Sequence, residues 1–253
     1  MIKKIEINHF ITMRWTKNEM EPPPSWLPNI KTRNLLEYQE IQILLLHQLA
    51  KQIKILYPKS KLHVITNEKH EDHDNIIYHK FNFESNHLGK LYMYGLLSEP
   101  CMYLDADIII INPFMEEELQ WDQPFYFFQS FSGGDIQSNT KCPLPIEINY
   151  IHNAGMVWIP NPSMDVTNEL FNIHEKYFYD KTATDEHCCS LFYKLKNMQI
   201  NKNPKINVPR LSLEKEDVVF QQTVHYTGYD IKWKKLCLQE FYQFFIAKNL
   251  RLQ

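Results

Sequence analysis

The sequence predicts an α/β protein built on a mixed, mostly parallel sheet flanked by helices. Short apolar runs of strand character alternate with longer segments of helical period along most of the chain. The run "CMYLDADIIIINPF" (101–114) is too uniformly apolar for a strand with one wet face, and fits one covered on both sides.

The elements follow in order. "IEINHFITM" (5–13) reads as a first strand, and "EPPPSWLPN" (21–29) as a proline-broken loop. From Asn34 to Tyr57, Leu35, Leu36, Ile41, Leu44, Leu45, Leu49, Ile53 and Leu56 recur at mixed three and four spacing, which predicts a helix with one broad buried face. Pro58 stops it. "KLHVITN" (61–67) and "NIIYHKF" (75–81) read as short strands, and a second helix over about 88–97 leads into the 101–114 run. Downstream, "PFYFFQSF" (124–131) and "NYIHNAGMVWIP" (149–160) read as strands, and "MDVTNELFNIHEKYF" (164–178) as an amphipathic helix. "TDEHCCSLFYKL" (184–195) starts another helix, with Thr184 or Asp185 as N-cap. A late strand (218–228) precedes a last helix near Leu238 to Asn249.

Composition excludes several classes of function. At 253 residues, 44% hydrophobic and 23% charged, the chain has the balance of one large globular domain. Its net charge of -3, with no basic stripe, excludes a nucleic-acid footprint. The first residues lack a signal-peptide core, and no run of about 18 apolar residues occurs, so the sequence predicts a soluble, unsecreted, cytoplasmic protein without a transmembrane segment. Cys101, Cys142, Cys188, Cys189 and Cys237 are an odd, scattered set without CxxC spacing, which suits reduced thiols.

Two aspartates, Asp105 and Asp107, interrupt the apolar run, where an unpartnered carboxylate is costly. Small Ala106 lets the chain bend so that both point one way, and the physical use of such a pair is a hard divalent cation with positions left for phosphate oxygens. A hydrogen-bonded turn is the plainer alternative. Alone, DxD is common by chance; between "CMYL" and "IIIINPF" it is far more specific.

"KLYMYGLLSEPCMYLDADIIIINPF" (90–114) resembles the donor-site segment of GT-A fold glycosyltransferases, nearest in character to family eight, the glycogenin and bacterial galactosyltransferase type. Three later segments agree in order: "HNAGMVWIPN" (152–161) is similar to the family's Asn-Ala-Gly strand, "TDEHCCSLF" (184–192) to its DQD helix start, and "VHYTGYDIKW" (224–233) to its HFxGxxKPW signature. The resemblance spans most of the chain and implies one GT-A domain with a Rossmann-like, nucleotide-binding half over about 1–112 and an acceptor-side half over about 113–253.

The resemblance implies a metal-dependent glycosyltransferase that takes a sugar from a nucleotide sugar, a UDP-hexose, to a carbohydrate or other hydroxyl acceptor. Asp105, Asp107 and His225 would hold the ion, and an imidazole ligand favours Mn²⁺, with Mg²⁺ as the alternative. Donor-binding positions are Lys90, Asp105, Asn153, Gly155, Gly228 and Lys232; Lys90 reads equally as a solvated helix residue. Asp185 and Glu186 are the catalytic candidates, as stabiliser, nucleophile or base, or as simple helix caps. The small Ala154-Gly155 pair allows a ligand close to the backbone. "NHF" and Thr12 lie where this fold receives the nucleoside.

The last motif departs from the pattern, with one extra residue before Lys232 and no proline before Trp233, and Glu186 stands for the usual Gln. "HEDHD" (70–74) lacks HExxH spacing and reads as a solvated loop. "KWKK" (232–235) is a short basic and aromatic stretch suited to peripheral membrane contact. The rival readings are a non-catalytic nucleotide-sugar binder of the same fold and a DxD phosphohydrolase. The phosphohydrolase calls for Thr or Val where Ile109 stands.

Overall fold

The computed structural model describes residues 4–16, 32–83, 85–131, 136–180, 184–226 and 231–246. The proline-broken loop and Gly228 lie outside them. The first half is a run of parallel strands. β1 (His9–Arg14) pairs in parallel with β2 (Lys61–Thr66) on one side and with β4 (Cys101–Leu104) on the other, and β3 (Ile76–Lys80) extends β2. α1 (Thr32–Leu56) makes the crossover between β1 and β2. It buries Ile41, Leu45, Leu49, Ile53 and Leu56, while Leu36 and Leu44 of the sequence-derived face point outward.

The β3–β4 connection holds α2 (Asn86–Lys90), capped by the Ser85 side chain and continued by one 3-10 turn over Leu91–Tyr94, a shorter helix than the apolar period implied. After β4 the chain turns into β5 (Ile108–Ile110). The second half supplies β6 (Tyr126–Phe127), β7 (Ser130–Phe131), β8 (Ile151–His152) and β9 (Met156–Ile159), then α3 (Met164–Tyr177) and α4 (Thr184–Leu195). β10 (Val208–Pro209), β11 (Thr223–His225) and α5 (Ile231–Glu240) complete it. The main sheet runs β3-β2-β1-β4-β9-β6, with β9 antiparallel to both neighbours.

Alternation along β4 divides the core between the two faces. Met102 and Leu104 join Phe10, Leu62 and Val64 over α1; Cys101 and Tyr103 join Ile11, Ile65 and the buried side chains of α4. β5 leaves this sheet and pairs with β11 in a small sheet of order β10-β11-β5, while β7 pairs with β8.

Three expectations need correction. Each run taken as one strand over 124–131 and 149–160 divides into two short strands of different sheets, because Asn153–Gly155 turns the chain between β8 and β9. Residues 218–220 of the late strand belong instead to a 3-10 turn over Lys215–Phe220. The last helix starts seven residues early, at Ile231, and ends in a π turn over Phe241–Ile246, since Lys234, Cys237 and Phe241 form its buried stripe. No helix among the described residues is long and apolar enough to cross a membrane.

Candidate active site

The aspartate pair sits where two sheets part. β4 ends at Leu104, and the Asp105 backbone N–H still reaches the Gly155 carbonyl at 2.7 Å; then a turn closes with the Ile108 N–H on the Asp105 carbonyl at 3.1 Å. A strand would send residues 105 and 107 along a flat ladder, whereas the turn folds both carboxylates towards one point. The β5–β11 register sets His225 opposite Ile108, and the Tyr226 N–H donates to the Asp107 carbonyl at 3.1 Å. His225 therefore arrives beside Asp107 from more than a hundred residues away in sequence.

The three side chains form a cluster whose ligand atoms all lie within 4.8 Å of one another. His225 Nε2 is 3.5 Å from Asp107 Oδ1 and 3.7 Å from Asp105 Oδ2. Each carboxylate is anchored by a lysine. Lys90 Nζ lies 2.9 Å from Asp105 Oδ1, which also accepts the Tyr103 hydroxyl at 2.7 Å. Lys234 Nζ donates to Asp107 Oδ2 and, at 3.2 Å, to the Tyr226 carbonyl. Asp107 and His225 are buried while Asp105 is 24% exposed, so the cluster opens to solvent on the Asp105 side. Burial by itself would raise the Asp107 pKa, but Lys234 and His225 outweigh it and hold the carboxyl well below the usual range. Two aspartate oxygens and an imidazole nitrogen are a hard, mixed O/N donor set that fits a divalent ion such as Mn²⁺.

α4 brings the second pair of carboxylates. Asp185 is buried, its Oδ1 2.7 Å from His87 Nδ1 and its Oδ2 3.7 Å from Lys90 Nζ. Burial opposes its ionisation, yet Lys90 and His87 bring its pKa down to about 2. Glu186 is half-buried, and its Oε1 accepts from the Ala154 N–H and from Asn153 Nδ2, both at 3.2 Å. Burial and neighbouring Asp185 push its pKa up to about 8. Of the two catalytic candidates, only Glu186 presents its side chain where a substrate can reach it.

The structure thus brings Lys90, Asp105, Asp107, Asn153, Gly155, Asp185, Glu186 and His225 into one connected site. Lys90 is a buried bridge between two motifs and not a solvated helix residue. At Gly155 a Cβ would stand 2.1 Å from His225 Cε1, so its bare backbone makes room for the imidazole. Lys232 is not brought in. It is exposed, with its Nζ 5.7 Å from the Trp233 ring, and two residues along a helix turn it about 200° from Lys234. Thr12 is buried near the carboxyl end of β1.

Sequence reasoning missed Lys234, His87, Tyr103 and Asn207. Two of these carried a signal: Tyr103 alternates with Asp105 on one side of β4, and His87 lies one helical turn before Lys90. Lys234 was masked by two neighbouring lysines, and Asn207 by its setting in "NKNPKIN" (201–207). A cavity of about 410 Å³ lined by Tyr150, His152, Ser190 and Lys194, among others, shares no residue with the carboxylate cluster.

No family model and no curated protein matches the sequence. Solved structures do resemble the fold. A glycosyltransferase involved in the glycosylation of the major capsid of PBCV-1 superposes with a TM-score of 0.52 at 9% identity, covering 91% of this chain and 98% of that one. The glycosyltransferase GlyE of Streptococcus pneumoniae TIGR4 gives a TM-score of 0.50 at 12% identity over 94% of this chain and 64% of its own length. The sheet order, the helices on its two faces and these likenesses together identify the fold as that of the GT-A glycosyltransferases.

Proposed function

We propose that the protein is a metal-dependent glycosyltransferase that takes a hexose from a nucleotide sugar, a UDP-hexose, and transfers it to a hydroxyl of a carbohydrate or other acceptor. One observation carries this reading: Asp105, Asp107 and His225 converge with Lys90, Lys234 and the Asn153–Glu186 pair at the carboxyl end of β4, where the chain leaves the main sheet for β5. In an open α/β sheet, ligands bind at such carboxyl ends.

Asp105 Oδ2, Asp107 Oδ1 and His225 Nε2 would hold the ion, Mn²⁺ in preference to Mg²⁺ because one donor is an imidazole. Bound there, a divalent ion supplies Lewis-acid neutralisation of the diphosphate as the anomeric carbon parts from it. The chain's own charges are matched to that task. Among the described residues, Asp105, Asp107 and Asp185 stand against the two lysines Lys90 and Lys234 and the imidazoles of His87 and His225; counted with both imidazoles uncharged, the cluster carries one surplus negative charge, which a divalent ion would turn net positive. A dianionic leaving group is then attracted only to the loaded site.

Asn153 spends its amide oxygen on the Gly155 N–H and on Asn207, and one N–H on Glu186. The second N–H is directed to a sugar hydroxyl. Glu186, whose pKa burial and neighbouring Asp185 raise, donates to a second hydroxyl when protonated and is available as a base when ionised. Asp185 is buried beneath them and positions Lys90. The chain works as one domain, with the donor half over about 1–112 and acceptor-side half beyond it, and the buried free thiols of Cys101, Cys188, Cys189 and Cys237 suit a cytoplasmic setting.

The test is release of nucleoside diphosphate from a panel of nucleotide sugars with Mn²⁺, Mg²⁺ or chelator, comparing wild type with Asp107→Asn. Slow hydrolysis needs no acceptor. Metal-dependent turnover of one donor, lost in the variant, supports the reading and names the donor. Metal-dependent binding of the nucleotide without turnover, with or without a panel of acceptors, points to the non-catalytic binder.

A further inference from the structure

A single sequence of hydrogen bonds runs from a backbone amide to the imidazole of the metal cluster, and its direction is forced at its origin. The Gly155 N–H can only donate, and its partner at 3.0 Å is Asn153 Oδ1. The Asn153 oxygen is therefore an acceptor, and the group 3.1 Å from it on Asn207 is the amide nitrogen, Nδ2. This leaves Asn207 Oδ1 as an acceptor pointed at His225 Nδ1, 3.0 Å away. The Asn207 side chain and the ring are both buried, so no water competes for that bond.

As a neutral ring, His225 has two sets of acceptors to choose between. With the proton on Nε2 it would face the carboxylates of Asp107 and Asp105 at 3.5 and 3.7 Å, longer than a good N–H···O bond; with the proton on Nδ1 it reaches Asn207 at 3.0 Å. The shorter contact wins, and it frees the Nε2 lone pair towards the two aspartates. We infer that Asn207 is a positioning residue that selects the Nδ1–H tautomer of His225 and so presents an unprotonated nitrogen to the ion. The inference rests on reading Asp105, Asp107 and His225 as a metal site.

The backbone supports the same assignment. Asn207 has φ of 56°, in the left-handed region where asparagine is among the few tolerated side chains, and its N–H is held at 2.7 Å by Thr223 Oγ1 of β11. Its amide is thereby fixed relative to the strand that carries His225. Gly155 serves both ends of the chain of bonds, since its N–H sets the direction and its missing Cβ admits the ring.

The experiment uses the whole protein with ¹⁵N-labelled histidine, and compares wild type with Asn207→Gly and Asn207→Asp. Glycine suits the positive φ, so the backbone is kept while the amide is removed. Long-range ¹⁵N–¹H correlation spectra without metal read the His225 tautomer, and titration with Mn²⁺, following the free ion by its paramagnetic resonance signal, reads affinity. Nδ1–H is expected in wild type and a shift towards Nε2–H in Asn207→Gly, with Mn²⁺ bound roughly 10- to 100-fold more weakly. Asn207→Asp keeps an acceptor oxygen for Nδ1 but loses the N–H given to Asn153 Oδ1, so it is expected to keep the Nδ1–H tautomer and to recover only part of that loss. An Asn207→Gly protein that keeps both the Nδ1–H tautomer and wild-type Mn²⁺ affinity overturns the inference. A wild type that shows Nδ1–H but binds no Mn²⁺ overturns the metal-site reading while supporting the part given to Asn207.

Discussion

Lys90 joins the two halves of the chain at one atom: its Nζ lies 2.9 Å from Asp105 Oδ1, at the end of β4, and 3.7 Å from Asp185 Oδ2, at the start of α4. All three side chains are largely removed from water. The Lys90 pKa is raised well above its ordinary value even though burial pulls it down, because Asp105, Tyr103 and Asp185 all favour the charged form.

Removing that ammonium should therefore be expensive. Lys90→Met leaves two low-dielectric carboxylates without their shared partner, and the expected loss is about 3 kcal/mol of stability. Thermal melts at pH 7 measure it. The Asp185 contribution has a defined sign: its pKa falls from 3.8 to about 2 on folding, so the stabilisation is present above about pH 4 and disappears as pH drops through 2. The gap between wild type and variant should accordingly shrink in acid, and a gap that widened there would contradict the pairing.

The two neighbouring lysines of α5 separate the structural assignment from the motif-based one. Lys234→Met removes the partner of Asp107 and is expected to lower donor turnover by at least about 100-fold. Lys232→Met, on the solvent side, is expected to stay within about threefold of wild type. Turnover of both variants under saturating Mn²⁺ decides the matter, and the reverse order would restore Lys232 to the site.

Gly155→Ala places a carbon where His225 Cε1 already stands. The ring or the β9 backbone must move, at a cost of about 1–3 kcal/mol. Since Gly155 also begins the bonds that lead to Nδ1, Mn²⁺ affinity should fall further than the melting temperature suggests. Calorimetric titration with Mn²⁺ beside a thermal melt reads both quantities.

Glu186→Gln keeps the Oε1 acceptor for Asn153 and Ala154 and removes the ionisation. The folded pKa of about 8 lies above the ordinary 4.5, so between these values the folded protein holds a proton that the unfolded chain lacks. Wild-type stability then declines with rising pH across that window. The variant has no such decline, so its melting temperature should exceed that of wild type by an amount that grows from pH 5 to 8 and levels off above. A difference independent of pH would place the Glu186 pKa near its ordinary value.

Much of the fold was legible in sequence because it rests on local periodicity. Helix α1, strands β2 and β3, and helices α3 and α4 lie within a residue or two of their predicted bounds, each marked by an apolar period and a proline or capping residue. The division of 149–160 into β8 and β9 was not legible, since an apolar run has the same composition whether it serves one sheet or two. The start of α5 was lost for a related reason: its buried stripe includes a lysine, and a lysine reads as exposed until its partner is known.

Asp105 and Asp107 were marked by their own sequence because carboxylates inside an apolar run demand compensation, and the demand is visible before the compensating group is; His225 was marked only by the resemblance that "VHYTGYDIKW" carries. The tertiary structure decided who answers. Lys90 and Lys234 meet the aspartates, His87 meets Asp185, and Asn207 meets His225, all across separations in sequence that no period records. The sequence by itself determined that charge would be buried at the end of β4. Which side chains neutralise it, and which nitrogen of His225 faces it, depends on where β11, α4 and α5 dock, because electrostatic and hydrogen-bond energies at that depth are set by distances of a few ångströms in space.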